Sequence, residues 1–222
     1  LAHEIRHPLA SIRGALEIID EHSRPDSPEA EFSRLAMGEV QRLDNLVWEF
    51  LRYARPHEPD LRLTSLHDVV ERVVALLRIE AERGGVTLDV DRCAPMPDVW
   101  FDALQIEQVL LNVILNAIQA SLPGSCVRVR EQLDRNEVLI DVIDEGRGIP
   151  AEDRTSVFSP FFTTKEQGTG LGLAIAHRII TAHEGHIEVH HTSASGTCIR
   201  IRLPIGAATR TAGIQHRPEV HV

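Results

Sequence analysis

Between Asp144 and Leu173 the chain reads DEGRGIPAEDRTSVFSPFFTTKEQGTGLGL, and no other stretch limits the fold as tightly. Just before it, Val138 to Ile143 is an apolar run broken only by Asp141, which reads as a buried strand. The run ends on Asp144, Gly146 and Gly148, with Pro150 closing the turn. A Phe/Thr/Lys loop follows. A second glycine cluster, Gly168-Thr169-Gly170-Leu171-Gly172-Leu173, then opens the apolar helical run AIAHRII. Glycines let the backbone approach a ligand closely, and a helix start offers unpaired N–H groups and a positive dipole end to anions. The pattern is not a dinucleotide fingerprint, because Leu173 stands where the third glycine belongs and a loop, not a strand, comes directly before. It is not a P-loop either, since no Gly-Lys-Ser/Thr occurs. Taken by itself, a hinge followed by a helix N-terminus accounts for the cluster as well as an anion site does. Asp144, just off a central strand, suits an exocyclic amine such as that of adenine, but Asp and Gly are also the usual residues of a strand-end turn.

Lys165 lies inside this loop and is the single lysine of the sequence, the other 22 of the 23 basic side chains being arginines. A compact ammonium suits a phosphate chain, whereas arginine's fork suits fixed bidentate pairs. A solvated loop lysine is the plain alternative. Further upstream, Asp102 to Ala120 (DALQIEQVLLNVILNAIQA) reads as a helix apolar over most of its circumference. Gln108, Asn112 and Asn116, spaced four residues apart, run along it as one polar stripe. Asparagine is a poor helix former, and a buried amide needs partners. Two in register suggest a ligand, since amide oxygens coordinate Mg²⁺ well with phosphate oxygens completing its shell. An amide network within a core is the alternative.

Taken together, these elements resemble the ATP-binding domain of sensor histidine kinases, within the gyrase/chaperone/kinase/mismatch-repair ATPase superfamily. The resemblance implies that Asn112 and Asn116 belong to the N-box, with Asn116 as Mg²⁺ ligand. It implies that Asp144, Gly146 and Gly148 form the first glycine box, with Asp144 reading adenine. Phe158, Phe161 and Phe162 correspond to the F-box, and Gly168, Gly170, Leu171 and Gly172 to the second glycine box. Gly196 and Thr197, before a final strand ending Leu203-Pro204, correspond to the closing glycine box. The blocks follow one another in the family's order over about 150 residues.

The first residues choose the branch. LAHEIRHPLASIRGALEII is similar to the kinase H-box, which implies His3 as phosphoacceptor and Glu4 as its neighbouring base. Ile5, Leu9, Ile12, Leu16 and Ile19 step by 4, 3, 4, 3, a heptad seam from which His3 stands apart. Pro8 cannot donate to the Glu4 carbonyl, so a kink is expected just past the histidine. A second helix is expected over roughly 28–55, with Ala36, Val40, Leu43, Val47, Phe50 and Ala54 on its seam. Two such helices joined by HSRPDSP make an antiparallel hairpin. One hairpin cannot enclose a core, so two copies are expected to pair as a four-helix bundle.

Two other readings use the same residues. His3-Glu4-Ile5-Arg6-His7 spells H-E-x-x-H, the zinc-hydrolase helix. Against it, the motif sits at the start of the chain, Pro8 follows the second ligand, no third ligand is evident, and five nucleotide-binding blocks go unexplained. A clamp-type ATPase of the same superfamily would explain those blocks. It would not explain the H-box and hairpin, nor Asn112 where such enzymes place a catalytic glutamate. Within the kinase reading His7 departs from the family, which usually carries Asn or Thr four residues after the phosphoacceptor. A good kinase and weak phosphatase is the expectation.

The fold class expected is therefore α+β: a hairpin over 1–57 ended by Pro56 and Pro59, an α/β two-layer sandwich over 60–205, and a loose tail over 206–222. Within the sandwich, 66–83 reads as an amphipathic helix stopped by Gly84-Gly85. Ile199, Ile201 and Leu203 alternate with Arg200 and Arg202, a strand with one wet face. A net charge of −10 argues against nonspecific binding of nucleic acid or anionic membrane. No apolar run reaches the roughly 18 residues of a membrane span, so no membrane contact is expected within this stretch and a cytoplasmic place is expected for it. Cys93, Cys126 and Cys198 have no metal-like spacing and read as core thiols of a reducing compartment. The chain opens mid-helix at Leu1, so it is expected to be a piece of a longer protein with its sensor, and any membrane anchor, upstream. The resemblance implies ATP and Mg²⁺ as cofactors, a homodimer, and a response regulator as partner. Gln119 and PFFTTKEQGTGLGLA look like the nitrogen-regulation subgroup, which implies an enhancer-binding transcriptional activator as that regulator.

Overall fold

The computed structural model describes residues 2–24, 26–54, 58–92, 95–165 and 168–206, and the side chains of these except 2–6, 45, 48–49 and 52–54. The tail expected over 206–222 lies outside them from residue 207 onward, and so do Cys93 and the side chains of His3 and Glu4. The chain divides into two compact units, Leu1–Glu58 with Pro150–Ile175, and Pro59–Ile149 with Ala176–Val222.

In the first unit, α1 (Ala2–His22) runs as one helix through Pro8, and α2 (Pro28–Ala54) follows after a short loop. The Ser27 hydroxyl accepts the Ala30 N–H at 3.3 Å, and Pro28 takes the first helical position, where a missing N–H costs nothing. Ser33 Oγ donates to the Leu16 carbonyl at 2.6 Å and ties the two helices together. Ala30, Ser33 and Val40 are buried, but Ile12, Ile19, Leu43 and Phe50, all on the heptad seams, remain exposed in the single chain. The segment 150–175 of this unit contains two short 3-10 turns, Ala151–Asp153 and Ser156–Phe158.

The second unit opens with β1 (Arg62–Thr64) and α3 (Leu66–Arg83). Ser65 caps α3 by accepting the Asp68 N–H, and Gly84 ends it, the stop expected from the sequence. Then come β2 (Thr87–Arg92), β3 (Val99–Phe101), α4 (Ala103–Ala120), β4 (Cys126–Asp134) and β5 (Glu137–Asp144). After the intervening segment, α5 (Gly172–Ala182) leads to β6 (His186–Ser193) and β7 (Gly196–Pro204). β1 and β3 form a two-stranded ribbon, and the main sheet has the order β2-β4-β5-β7-β6, parallel between β2 and β4 and antiparallel elsewhere. Val127 and Val129 of β4, Val138, Ile140 and Val142 of β5, and Ile199, Ile201 and Leu203 of β7 are buried with the apolar faces of α3 and α4.

The opposite face explains Asp141, the break in the apolar run. Asp91, Arg130, Asp141, Arg200 and Glu188 stand opposite one another across all five strands, alternating in sign. Arg200 grips Asp141 with two bonds of 2.7 Å, and Arg130 reaches Asp91 at 2.9 Å. The face expected to be wet is thus a charge ladder in which Asp141 is buried and Arg200 and Arg202 are half-buried. Cys198, on the same strand, is a free buried thiol whose pKa burial pushes up to about 11.

One acidic residue sits on the apolar face instead. Glu131 aligns with Ile140, Ile201 and Ile187 and is 0% exposed. Nδ1 of His67, in the first turn of α3, lies 3.1 and 3.2 Å from its two oxygens. Burial pushes the Glu131 carboxyl above its ordinary range, and the His67 hydrogen bond offsets this only in part. A raised folded pKa means that the folded chain holds the proton more tightly than the unfolded chain. The group's share of stability is therefore present at low pH and lost as pH rises from the ordinary carboxylate range through the raised value. Glu131→Gln removes that titration. In thermal melts the melting temperature of wild type is expected to fall relative to the variant as pH rises from the ordinary carboxylate range through the raised value. A pH-independent difference would show that Glu131 does not carry this linkage.

Candidate functional site

In the second unit the site residues gather at the end of β5. Asp144 is buried, and its Oδ1 accepts the Gly146 N–H at 2.8 Å and the Thr197 N–H at 3.1 Å. Register puts Thr197 directly opposite Asp144 on β7. Burial raises the Asp144 pKa, and the two backbone donors counter it. Gly146 lies against the last residue of α4, so that a Cβ there would come within 2.5 Å of the Ala120 carbonyl oxygen. The turn after β5 therefore sits on the end of the helix that carries Asn112 and Asn116. Gly148 has φ +74°, and a Cβ on it would overlap the Ser193 carbonyl oxygen. The next residue is pinned as well: the Ile149 N–H donates to Thr192 Oγ1 at 2.7 Å, and Thr192 Oγ1 is 3.4 Å from Thr197 Oγ1.

Thr192 is the residue of this cluster that sequence reasoning missed. It is one of several Ser and Thr in HTSASGT, and only its pairing opposite Thr197 distinguishes it. The amide stripe of α4 also differs from expectation. Gln108, Asn112 and Asn116 are half-exposed rather than buried, while Val109, Leu110, Val113, Ile114, Ala117 and Ile118 take the core. The amides thus border the core instead of lying within it. Their chemistry, carboxamide oxygens on the helix whose end meets the glycine turn, fits Mg²⁺.

In the first unit, Gly168 to Leu171 precede α5 and Gly172 opens it, as the sequence indicates. The Leu171 carbonyl accepts the Ile175 N–H at 2.9 Å, so Leu171, fully buried, anchors the helix start. Phe161 adopts φ +66°, rare for an aromatic residue, and its N–H donates to the Gly170 carbonyl at 3.0 Å. A Cβ on Gly170 would come within 2.5 Å of Phe161, so the two are pressed backbone to backbone. The Phe161 ring stacks on Phe50 of α2, with centroids 6.3 Å apart and planes at 28°. Lys165 is half-buried, and its N–H donates to Thr163 Oγ1 at 3.1 Å. The loop over 158–170 includes residues 166 and 167, which lie outside those described.

Elsewhere, His7 is exposed on α1 and its carbonyl accepts Ser11 Oγ at 3.1 Å. No described helix is long and apolar enough to cross a membrane.

Comparison with known proteins adds to this geometry. Residues 101–207 match the family described as histidine kinase-, DNA gyrase B-, and HSP90-like ATPase, and residues 1–59 match the His Kinase A (phospho-acceptor) domain. The chain is similar to the sensor histidine kinase ZraS of Escherichia coli strain K12, 33% identical over 205 residues, which are 92% of this chain and 44% of ZraS. It is similar to the sensory histidine kinase/phosphatase NtrB of Salmonella typhimurium strain LT2, 38% identical over 218 residues, covering 92% of this chain and 60% of NtrB. Among solved structures, histidine kinase ThkA in complex with response regulator protein TrrA aligns with a TM-score of 0.73 at 26% identity, covering 94% of this chain and 61% of that one. The chain thus spans less than two thirds of the length of each of these relatives.

Proposed function

Because this chain belongs to the sensor histidine kinase family, we propose that it moves the γ-phosphoryl group of ATP onto His3 and then to an aspartate of a response-regulator partner. The observation that carries the reading is the presence in one chain of a phospho-acceptor domain match and of Asp144, held buried at the end of β5 by two backbone N–H groups, with its turn packed on the end of α4. A clamp-type ATPase would leave the match over 1–59 unexplained, and a zinc hydrolase would leave the match over 101–207 unexplained.

In this reading residues 1–57 serve for dimerisation and phosphotransfer and residues 60–205 for ATP binding. Asp144 accepts from the adenine amine, Gly146 and Thr197 hold its carboxylate in place, and Gly148 lets the turn pass against Ser193. Asn116, with Asn112 beside it, would hold Mg²⁺, which when bound offsets the charge of the phosphates. Lys165 and the helix start at Gly168, Gly170, Leu171 and Gly172 receive the γ end. A ring nitrogen of His3 forms the new N–P bond in line as the bond to the β-phosphate oxygen breaks, ADP leaves, and Glu4 takes the imidazole proton.

The exposed seam residues Ile12, Ile19, Leu43 and Phe50 support a homodimer, in which a second hairpin covers them. The likeness to NtrB and to the ThkA–TrrA complex supports a response regulator, and an enhancer-binding activator is the kind we assign. A cytoplasmic place fits such a partner.

The test is incubation with γ-labelled ATP and Mg²⁺. Label that stays on the protein and survives alkali but not acid marks a phosphohistidine, whereas release of free phosphate alone would favour a clamp ATPase. Asp144→Asn sharpens the nucleotide assignment. The asparagine oxygen can still accept the Gly146 and Thr197 N–H groups, but its amide then faces the adenine amine donor to donor. ATP affinity is expected to drop by about 1–3 kcal/mol in titration calorimetry, with little change in melting temperature. An unchanged affinity for ATP, equal to that for GTP, would remove Asp144 from adenine recognition.

A further inference from the structure

His183 follows the last residue of α5 and is 5% exposed. The Asp102 backbone N–H donates to its Nε2 at 3.1 Å, and its Nδ1 lies 2.8 Å from the Ile179 carbonyl oxygen. Since Nε2 accepts, the proton resides on Nδ1, which donates to Ile179. The ring is therefore a neutral bridge, in one tautomer, from the last turn of α5 to the N-cap of α4. Asp102 carries the bridge further. Its Oδ1 accepts the N–H groups of Leu104 and Gln105 at 3.0 and 3.2 Å, and its Oδ2 accepts the Asp60 N–H at 3.1 Å. One imidazole and one carboxylate thus join the start of this unit, the start of α4 and the end of α5. From this junction Asn112 lies about 15 Å along α4, with Asn116 one turn beyond.

We propose that His183 is a positioning residue for the nucleotide: its neutral ring sets where the amide stripe of α4 stands relative to the end of α5, and protonation of Nε2 releases that hold. The proposal rests on the nucleotide reading above. An imidazolium has no lone pair for the Asp102 N–H, so the bridge cannot persist in the charged form. Burial pushes the His183 pKa below its ordinary value, against the opposing pull of the Ile179 carbonyl and the Asp102 carboxylate. Asp102 is the charged group facing the ring among the described residues, and its oxygens are already engaged by the three backbone N–H groups. With a depressed folded pKa, the ring stays neutral through the ordinary histidine range, and the bridge is lost only as pH falls through the depressed value.

The experiment measures Mg²⁺–ADP affinity by titration calorimetry for wild type, His183→Ala and His183→Gln, from about pH 8 down to the lowest pH at which the chain stays folded. The Michaelis constant for ATP and the saturated autophosphorylation rate are followed in parallel. Alanine removes the bridge, and ADP is expected to bind about five- to tenfold more weakly at pH 7.5, with the Michaelis constant raised more than the saturated rate is lowered. Glutamine offers an oxygen near the Nε2 position that accepts the Asp102 N–H and does not titrate, so it is expected to rescue most of the affinity. Below the depressed pKa, wild type is expected to weaken relative to the glutamine variant by a similar factor. A wild-type to glutamine ratio constant over the whole range would overturn the proposal, as would a folded His183→Ala chain that binds ADP as tightly as wild type. A wild type that binds no ADP at pH 7.5 would overturn the nucleotide reading itself, and this inference with it.

Discussion

His3→Gln is expected to take up no acid-labile label from γ-labelled ATP while binding nucleotide as wild type does. Residue 3 belongs to α1, in the hairpin, whereas Asp144, Asn112 and Asn116 belong to the other compact unit. The substitution therefore removes the acceptor without touching the residues assigned to the nucleotide. Glutamine favours the helix and carries no charge, so the hairpin should persist. Loss of label with intact ADP binding and intact secondary structure by circular dichroism assigns the acceptor. Retained label would point to another of the 12 histidines. His177 would come first, being exposed near the second glycine box, whereas both ring nitrogens of buried His183 are engaged.

Gly148→Ala is expected to lower stability by about 3 kcal/mol or more and to abolish measurable ATP binding. Two costs combine there. Alanine in the left-handed region costs about 1 kcal/mol, and its Cβ would overlap the Ser193 carbonyl oxygen beside Thr192 Oγ1. Backbone on both sides has to move, and that movement breaks the Ile149–Thr192 bond and the turn that leads away from Asp144. Gly124→Ala is the matched control. Gly124 also has positive φ, at +88°, but nothing lies within 4 Å of the added Cβ, so only the backbone cost should appear in its denaturant midpoint. Equal midpoints for the two variants would mean that the close approach at Gly148 has no energetic weight.

Much of this molecule is legible without coordinates because the signals are local. Heptad steps give α1 and α2, Gly84 ends α3, the apolar run gives α4, and glycines mark both the exit from β5 and the start of α5. Each of these depends on residues within a few positions of one another, through periodicity or through a cap that satisfies its own helix. The order of the glycine and asparagine blocks is likewise a property of the sequence, and it pointed to the family that comparison established.

What required tertiary structure is the partner of every buried polar group. The sequence marks Asp141 as an oddity, but Arg200, 59 residues away, makes it part of a ladder. Glu131 carries no sign of lying on the apolar face opposite His67, 64 residues away, nor His183 of closing on the Asp102 amide, 81 residues away. Thr192 matters because β6 and β7 place it opposite Thr197, and Gly148 because Ser193 leaves no room for a side chain. Periodicity tells which face of an element is apolar. Strand register and helix placement decide which distant donor meets which acceptor, and a buried polar group is tolerated only where that meeting occurs.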